Sequence, residues 1–288
     1  MVSKDTYFSP KQTLNFNGTL FELSSPVVMG ILNITPDSFF DGGRYLDEKQ
    51  IMERCKNMLS DGATIIDIGA YSSRPGATDI STEEEQERLA QALQPIRKSF
   101  PDAIISVDTF RADVARFVVQ EFNVNMINDI SAGELDPDML ETVASCNVPY
   151  ILMHMKGTPQ TMQQNTNYDN LINDIIRYLA QRINLAVQAG IKDIIVDPGF
   201  GFGKTIEQNF KLLANLGDFN IFQRPILVGL SRKSTVYKTL GTTPENALNG
   251  TLALETIALL NGANILRVHD VKETMEVLKL LDAYKQVK

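Results

Sequence analysis

The sequence predicts an α/β fold, a single (β/α)8 TIM barrel, and two observations carry that prediction. Eight short apolar runs recur along the chain, at residues 27–32, 64–68, 103–107, 126–130, 149–153, 193–196, 225–228 and 264–268, with long amphipathic segments between them. They are rich in β-branched residues and nearly free of polar ones, as parallel strands covered on both faces should be. No linker-like stretch interrupts the alternation, so residues 1–288 read as one domain with the barrel spanning about 27 to 284. A doubly wound open sheet is the alternative, because the alternation does not encode strand order.

Ahead of the barrel, QTLNFNGTLFEL at residues 12–23 alternates apolar and polar positions around Asn17-Gly18. That pattern predicts a β-hairpin with a two-residue turn, covering the N-terminal end of the barrel. Helix signals fill the gaps between strands. STEEEQERL offers Ser81 or Thr82 as N-cap with Glu84 or Glu85 completing a capping box, and the acidic run Glu83 to Glu87 reads as a solvated first turn. Leu171, Ile175, Leu179, Ile183 and Val187 mark one face of a long helix that stops before Gly190, and TPENAL places Pro244 at a first helical position after Thr243.

Composition narrows the function. A net charge of -8 disfavours nucleic acid as the main partner, since such binders present a basic face to phosphates. No apolar run approaches the ~20 residues of a membrane span, and the N-terminus has no signal-like segment, which points to a soluble cytoplasmic protein. Cys55 and Cys146 lie in helix-like segments without metal-ligand spacing and read as structural thiols, and two histidines are too few for a zinc motif.

Active sites of (β/α)8 barrels lie at the C-terminal strand ends. The polar residues reached there are Asn33, Asp67, Asp108, Asn128, Asp129, His154, Asp197, then Ser231, Arg232 and Lys233, and finally Arg267 and His269. Helix capping accounts for Asp129 and Asp67, but not for all of them together. DPGFGFGKT at 197–205 resembles a nucleotide loop, yet Pro198 stands where a Walker A needs glycine and Lys204 where a dinucleotide fingerprint does. Its glycines instead allow a tight turn at the mouth, and Lys204 reads as a tie from that turn to a backbone carbonyl. Carboxylates and amides suit a heterocycle with an amidine-like edge, whereas Arg74, Arg267 and His269 suit an anionic leaving group. A planar ring joined to a phosphate satisfies both halves. Direct substitution is favoured over covalent catalysis because no activated Ser or Cys is apparent.

NITPDSFFDGG, DIGAYSSRPGA, SVDTF, INDIS, LMHMKGTP, DPGFGFGK, VGLSRKS and LRVHDV, in this order over residues 30–271, closely resemble the dihydropteroate synthase family. The resemblance implies a cytoplasmic, homodimeric, pterin-binding transferase. It joins 6-hydroxymethyl-7,8-dihydropterin pyrophosphate to p-aminobenzoate, gives 7,8-dihydropteroate and pyrophosphate, and is a target of sulfonamides. Carried over by motif position, the pterin contacts fall on Asp108, Asn128, Met153, Asp197, Phe202, Gly229, Lys233 and Arg267. The pyrophosphate site falls on Asn33, Ser73, Arg74, Arg267 and His269, with Asn33 the contact to Mg2+. The p-aminobenzoate pocket falls on Phe39, Ser73, Pro75 and Ser231, beside Lys233.

The resemblance also implies loops at 35–44 and 70–78 that fold over the bound pterin, bringing Phe39 onto the arylamine. In the dissociative mechanism it implies, Asp41 stabilises a cationic methylene. Two departures from the common pattern stand out, Gly69-Ala70-Tyr71 in place of an acid-containing triplet and Phe40 in place of a small polar residue. Two rivals share the barrel. A pterin-binding methyltransferase domain would not need Ser72 to Pro75 or the SRK segment, and a non-catalytic homologue would be expected to lack Asn33, Arg74 or Lys233.

Overall fold

The computed structural model describes residues 13–35, 47–72 and 79–287. It opens with an antiparallel hairpin of β1 (Thr13–Phe16) and β2 (Thr19–Glu22). Asn17 and Gly18 both take positive φ, 50° and 93°, which matches the strands' right-handed twist. Leu14, Phe16 and Leu23 are buried against Met29, Ile65, Met126, Ile151, Ile195, Leu227 and Ile265, which all come from different barrel strands. The hairpin therefore plugs the bottom of the barrel, and Asn15 N fastens it by donating to Asp193 Oδ2 at 2.9 Å.

Eight parallel strands form the barrel: β3 (Val27–Asn33), β4 (Ile65–Gly69), β5 (Ile104–Asp108), β6 (Met126–Asp129), β7 (Tyr150–Met153), β8 (Ile194–Asp197), β9 (Leu227–Val228) and β10 (Ile265–Val268). Their order is sequential, with β3 between β4 and β10. The remaining edges, β8 and β9, meet through a parallel bridge between Val196 and Ile226 and a 2.9 Å bond from Val196 N to Pro225 O. Ring closure rules out the open sheet. Pro225 has no N–H to give, and the strand expected over 225–228 keeps regular pairing only at Leu227–Val228.

The helices are α1 (Glu48–Asp61), α2 (Thr82–Ser99), α3 (Ala112–Phe122), α4 (Met139–Cys146), α5 (Leu171–Ala189), α6 (Ile206–Ala214), α7 (Ser234–Tyr237), α8 (Leu248–Leu260) and α9 (Val271–Gln286). They pack an apolar shell against the outward strand residues. Ser81 caps α2 by accepting from Glu84 N at 3.2 Å, and Gly190 ends α5 in the left-handed conformation. Thr243-Pro244 starts a 3-10 turn, Pro244–Asn246, ahead of α8.

Two helix expectations change. Glu85 is no solvated first-turn residue: it is fully buried and paired with Arg111 at 2.6 Å. The α5 stripe rotates out of the core, because steps of four residues overshoot a 3.6-residue turn. Leu171, Ile175 and Leu179 are buried, but Val187 is exposed and Ala186 takes its place.

Candidate active site

Strand parity brings the first group of side chains together. Ile65 belongs to the barrel interior, so Asp67, two residues on, faces inward as well. Asp67 is wholly buried and accepts from Arg267 Nε at 2.6 Å and Asn128 Nδ2 at 3.1 Å. Arg267, reaching across from β10, also donates from Nη2 to Asp108 Oδ2 at 2.8 Å. One arginine thus links a carboxylate midway along β4 to one at the end of β5. Burial works against its charge, but Asp67 and Asp108 outweigh burial and hold its pKa above the ordinary value. Burial raises the Asp108 carboxyl, and Arg267 pulls it back. Asn33, Gly69 and Asp108 stand in register on neighbouring strands; a Cβ on Gly69 would lie 3.4 Å from Asn33 Oδ1 and 3.6 Å from Asp108 Cβ. Gly69 thus lies between the amide and the carboxylate, in contact range of both.

The second group surrounds the glycine loop after β8. Asp197 is buried, and its Oδ1 accepts from Gly199 N at 2.7 Å. Burial raises its pKa, opposed first by the Lys233 ammonium. Lys233, the extended residue just before α7, donates from Nζ to Phe200 O and sits 4.7 Å over the Phe202 ring. Burial pushes this ammonium down to about 8, with Asp197 resisting. Gly229 adjoins it: a Cβ there would be in ordinary contact with Lys233 Nζ at 3.7 Å and Arg267 Cβ at 3.9 Å. Met153 lies buried with Ile130, Met155 and Met162, and Phe202 and Phe110 pack on that cluster, so an apolar wall borders the polar groups.

A third set ties the last two strand ends together. Ser231 is buried and accepts from His269 N at 3.2 Å. Arg232, in the left-handed region at φ 55°, grips Asp270 with two bonds of 2.8 and 2.7 Å and Pro244 O with a third of 2.9 Å. The Ser231–Lys233 segment and His269 are therefore fixed relative to each other. Beside them a concavity of about 480 Å3, lined by charged residues including Glu53, Arg54, Asp61 and Lys272, opens between α1 and α9; it shares only His269 with the mouth.

Phe39, Asp41, Ser73, Arg74 and Pro75 lie outside the described residues, as do 36–44 and 73–78 of the two loops. The remaining residues singled out from the sequence, Asn33, Asp108, Asn128, Met153, Asp197, Phe202, Gly229, Ser231, Lys233, Arg267 and His269, all fall at or just past the C-terminal strand ends. Asp67 is a correction: it caps nothing and joins two of them. Asp129 braces the turn after β6, accepting from Ser131 N and Gly133 N at 2.7 Å and from Tyr150 Oη at 2.5 Å. His154 is buried and bonded to Lys204. No group of three His, Cys, Asp or Glu side chains able to hold a metal ion occurs among the described residues, and no helix there is long and apolar enough to cross a membrane.

The chain that builds this mouth, with its buried carboxylate, ammonium, amide and bridged arginine, is similar to known proteins in sequence and in fold. A family profile described as "Pterin binding enzyme" matches residues 29–269. Dihydropteroate synthase of Escherichia coli (strain K12) is 44% identical over 268 residues, covering 92% of this chain and 94% of that protein. The crystal structure of Yersinia pestis dihydropteroate synthase in a sulfonamide drug complex superposes with a TM-score of 0.90 at 42% identity, covering 95% of this chain and 99% of that one. Xanthomonas albilineans dihydropteroate synthase with 4-aminobenzoic acid gives 0.87 at 37% identity, covering 95% and 98%. Sequence and overall fold agree, and the chain belongs to the dihydropteroate synthase family of pterin-binding enzymes.

Proposed function

We propose the following division of labour for the dihydropteroate synthase reaction, which this chain carries out as a transferase of folate synthesis. The pairing of buried Asp197 with Lys233 across one loop carries the assignment, because it sets a two-oxygen acceptor and a cationic donor around the same glycine turn, the complement of a heterocycle with donors on one edge and acceptors on another. Asp197 accepts the pterin 2-amino and N3 protons, Lys233 donates to the ring acceptors, and Asn128 and Asp108 hold the opposite edge. Met153 and Phe202 flank the ring, Gly229 gives it clearance, and Arg267, fixed by Asp67 and Asp108, stacks on it.

The pyrophosphate lies against Asn33, Ser73, Arg74, Arg267 and His269. As the methylene C–O bond breaks, its electron pair leaves on pyrophosphate, and the cations of that set take up the developing charge. Asp41 faces the cationic methylene. The p-aminobenzoate amine attacks that carbon from a pocket of Phe39, Ser73, Pro75 and Ser231, and the new C–N bond forms as the amine loses a proton. Asn33 supplies one neutral oxygen, which suits Mg2+ that keeps waters and phosphate oxygens as its other ligands. Bound there, the ion would neutralise phosphate charge in the leaving group.

A homodimer fits the exposed Ile257 and Leu260 of α8 and Leu280 of α9, large apolar side chains on the last two barrel helices. A cytoplasmic setting fits the free thiols of Cys55 and Cys146. Sulfonamides would compete with p-aminobenzoate.

Pyrophosphate release from the dihydropterin substrate, with Mg2+ and with or without p-aminobenzoate, tests the reading. Release should require the arylamine, yield dihydropteroate, and fall by ~100-fold or more in Lys233→Ala and Arg74→Ala. Tight pterin binding without product would overturn it.

A further inference from the structure

Lys204 is a buried lysine outside the roles above, with 4% of its surface exposed; burial pushes its ammonium down to about 7, with Asp197 resisting. Its ammonium donates to Gly199 O at 2.8 Å and Phe202 O at 3.0 Å, and lies 3.0 Å from His154 Nδ1. An ammonium has three donors and no acceptor, so Nδ1 is the lone-pair nitrogen and the three N–H groups are fully used. His154 can hold that tautomer because burial, and then Lys204 itself, drive its imidazole pKa down to about 2. The histidine stays neutral, wedged edge-on against Tyr178 with ring centroids 5.0 Å apart.

The loop that Lys204 holds is unusual in its backbone. Gly199, Gly201 and Gly203 all have positive φ, at 77°, 82° and 60°. Left-handed residues at alternate positions let carbonyls of a short segment face opposite ways: those of Gly199 and Phe202 turn in to Lys204, whereas that of Phe200 accepts from Lys233. The loop also lies hard against β7, since a Cβ on Gly199 would come within 1.9 Å of His154 O. Its first amide, Gly199 N, anchors Asp197 Oδ1 at 2.7 Å. Both poles of the Asp197–Lys233 pair therefore hang on a loop whose inner carbonyls are gathered by one side chain.

We propose that Lys204 is a positioning residue for the pterin subsite: by drawing Gly199 O, Phe202 O and His154 Nδ1 together it fixes the loop that orients Asp197 and Lys233. It touches neither substrate. This inference rests on the assignment of Asp197 and Lys233 to the pterin, and it weights the effect toward that substrate, because Phe39, Ser73 and Pro75 of the p-aminobenzoate pocket come from other loops and Ser231 is held independently by His269.

The test is steady-state kinetics and pterin binding on the full chain carrying Lys204→Met, a substitution of similar length without donors. The probe is 6-hydroxymethylpterin, titrated by fluorescence. The expected result is about a tenfold rise in its Kd and in KM for the dihydropterin pyrophosphate, with KM for p-aminobenzoate, measured at saturating pterin substrate, within about twofold of wild type. Should Lys204→Met not fold, His154→Leu, which removes one of the three acceptors, should shift the same constants in the same direction by a smaller factor. Unchanged pterin constants in a folded variant would overturn the inference, as would a parallel rise in both KM values. Failure of the wild type itself to bind 6-hydroxymethylpterin would instead overturn the assignment of the pterin subsite.

Discussion

Replacing Asp67 with asparagine probes the link between the barrel interior and the mouth. The side chain is wholly buried, and its Oδ2 takes a 2.6 Å bond from Arg267 and a 3.1 Å bond from Asn128. Removing one member of a buried ion pair costs about 3–5 kcal/mol when nothing else compensates. Here Arg267 keeps Asp108 at 2.8 Å, its side chain is 20% exposed, and the asparagine oxygen still accepts one bond. The loss reduces to the charge-assisted part of the Arg267 bond plus a poor amide-to-amide contact with Asn128, about 2–3 kcal/mol. An unfolding entropy of about 2.1 cal/mol/K per residue over 288 residues converts that to a fall in Tm of about 3–5 °C. Arg267 and Asn128 would also lose their common anchor, so KM for the dihydropterin pyrophosphate should rise about tenfold, roughly 1.4 kcal/mol. Differential scanning calorimetry and steady-state kinetics on Asp67→Asn read both quantities. A variant that melts within about 1 °C of wild type with unchanged KM would refute the reasoning.

Two further predictions concern pH. Lys233 has a folded pKa of about 8, below the ~10.4 of free lysine, so kcat/KM for the pterin substrate should fall as pH rises through about 8. The same group makes folding more favourable as pH climbs from about 8 toward ~10.4, because the unfolded chain then holds the proton more tightly, and activity should drop with no loss of fold. Lys233→Arg, which cannot titrate in this range, should remove that limb from the pH–rate profile; an unaltered limb would assign it elsewhere. Glu255, buried with its Oε2 accepting from Thr274 Oγ1 at 2.9 Å, has its pKa raised by burial to about 8. The folded protein therefore keeps a proton that the unfolded chain releases, and stability contributed by this group falls between pH ~4.3 and about 8. Glu255→Gln should melt higher than wild type at pH 8 and close to it at pH 4.5, and equal differences at both would contradict a neutral Glu255.

Strands and their ends were legible because a parallel strand covered on both faces has to be apolar until it reaches the mouth; β3, for example, runs Val27–Asn33 and turns polar only at Asn33. Pairings between strand ends were not legible. Asp67 meets Arg267 only because β10 closes on β3 beside β4, a fact of ring closure that no local pattern carries. Its inward position was nonetheless readable, two residues after Ile65 on an otherwise apolar strand, and that parity was the signal for a site residue rather than a cap. Glu85 was misread for a related reason. Its neighbours make a plausible solvated helix start, but Arg111, itself lying over the Tyr71 and Phe110 rings at 5.3 Å from each centroid, comes from the next strand-to-helix connection and draws it inward. Lys204 sits in a motif that fails as a nucleotide loop, and its tie to the turn was expected; that the ring of His154 would be a further partner depended on β7 lying against β8.

Arg267 has a consequence for how the chain is made. It follows Asp67 by 200 residues and Asp108 by 159, so during synthesis both acids leave the ribosome long before their counter-ion exists. The strand that delivers it also supplies the last seam of the ring, joining β3 to β9. Charge neutralisation and barrel closure are thus one late event. A product truncated before residue 265 would carry unpaired strand edges around an uncompensated carboxylate, a species suited to proteolysis and not to partial catalysis. Quality control is in that sense written into the position of a single arginine.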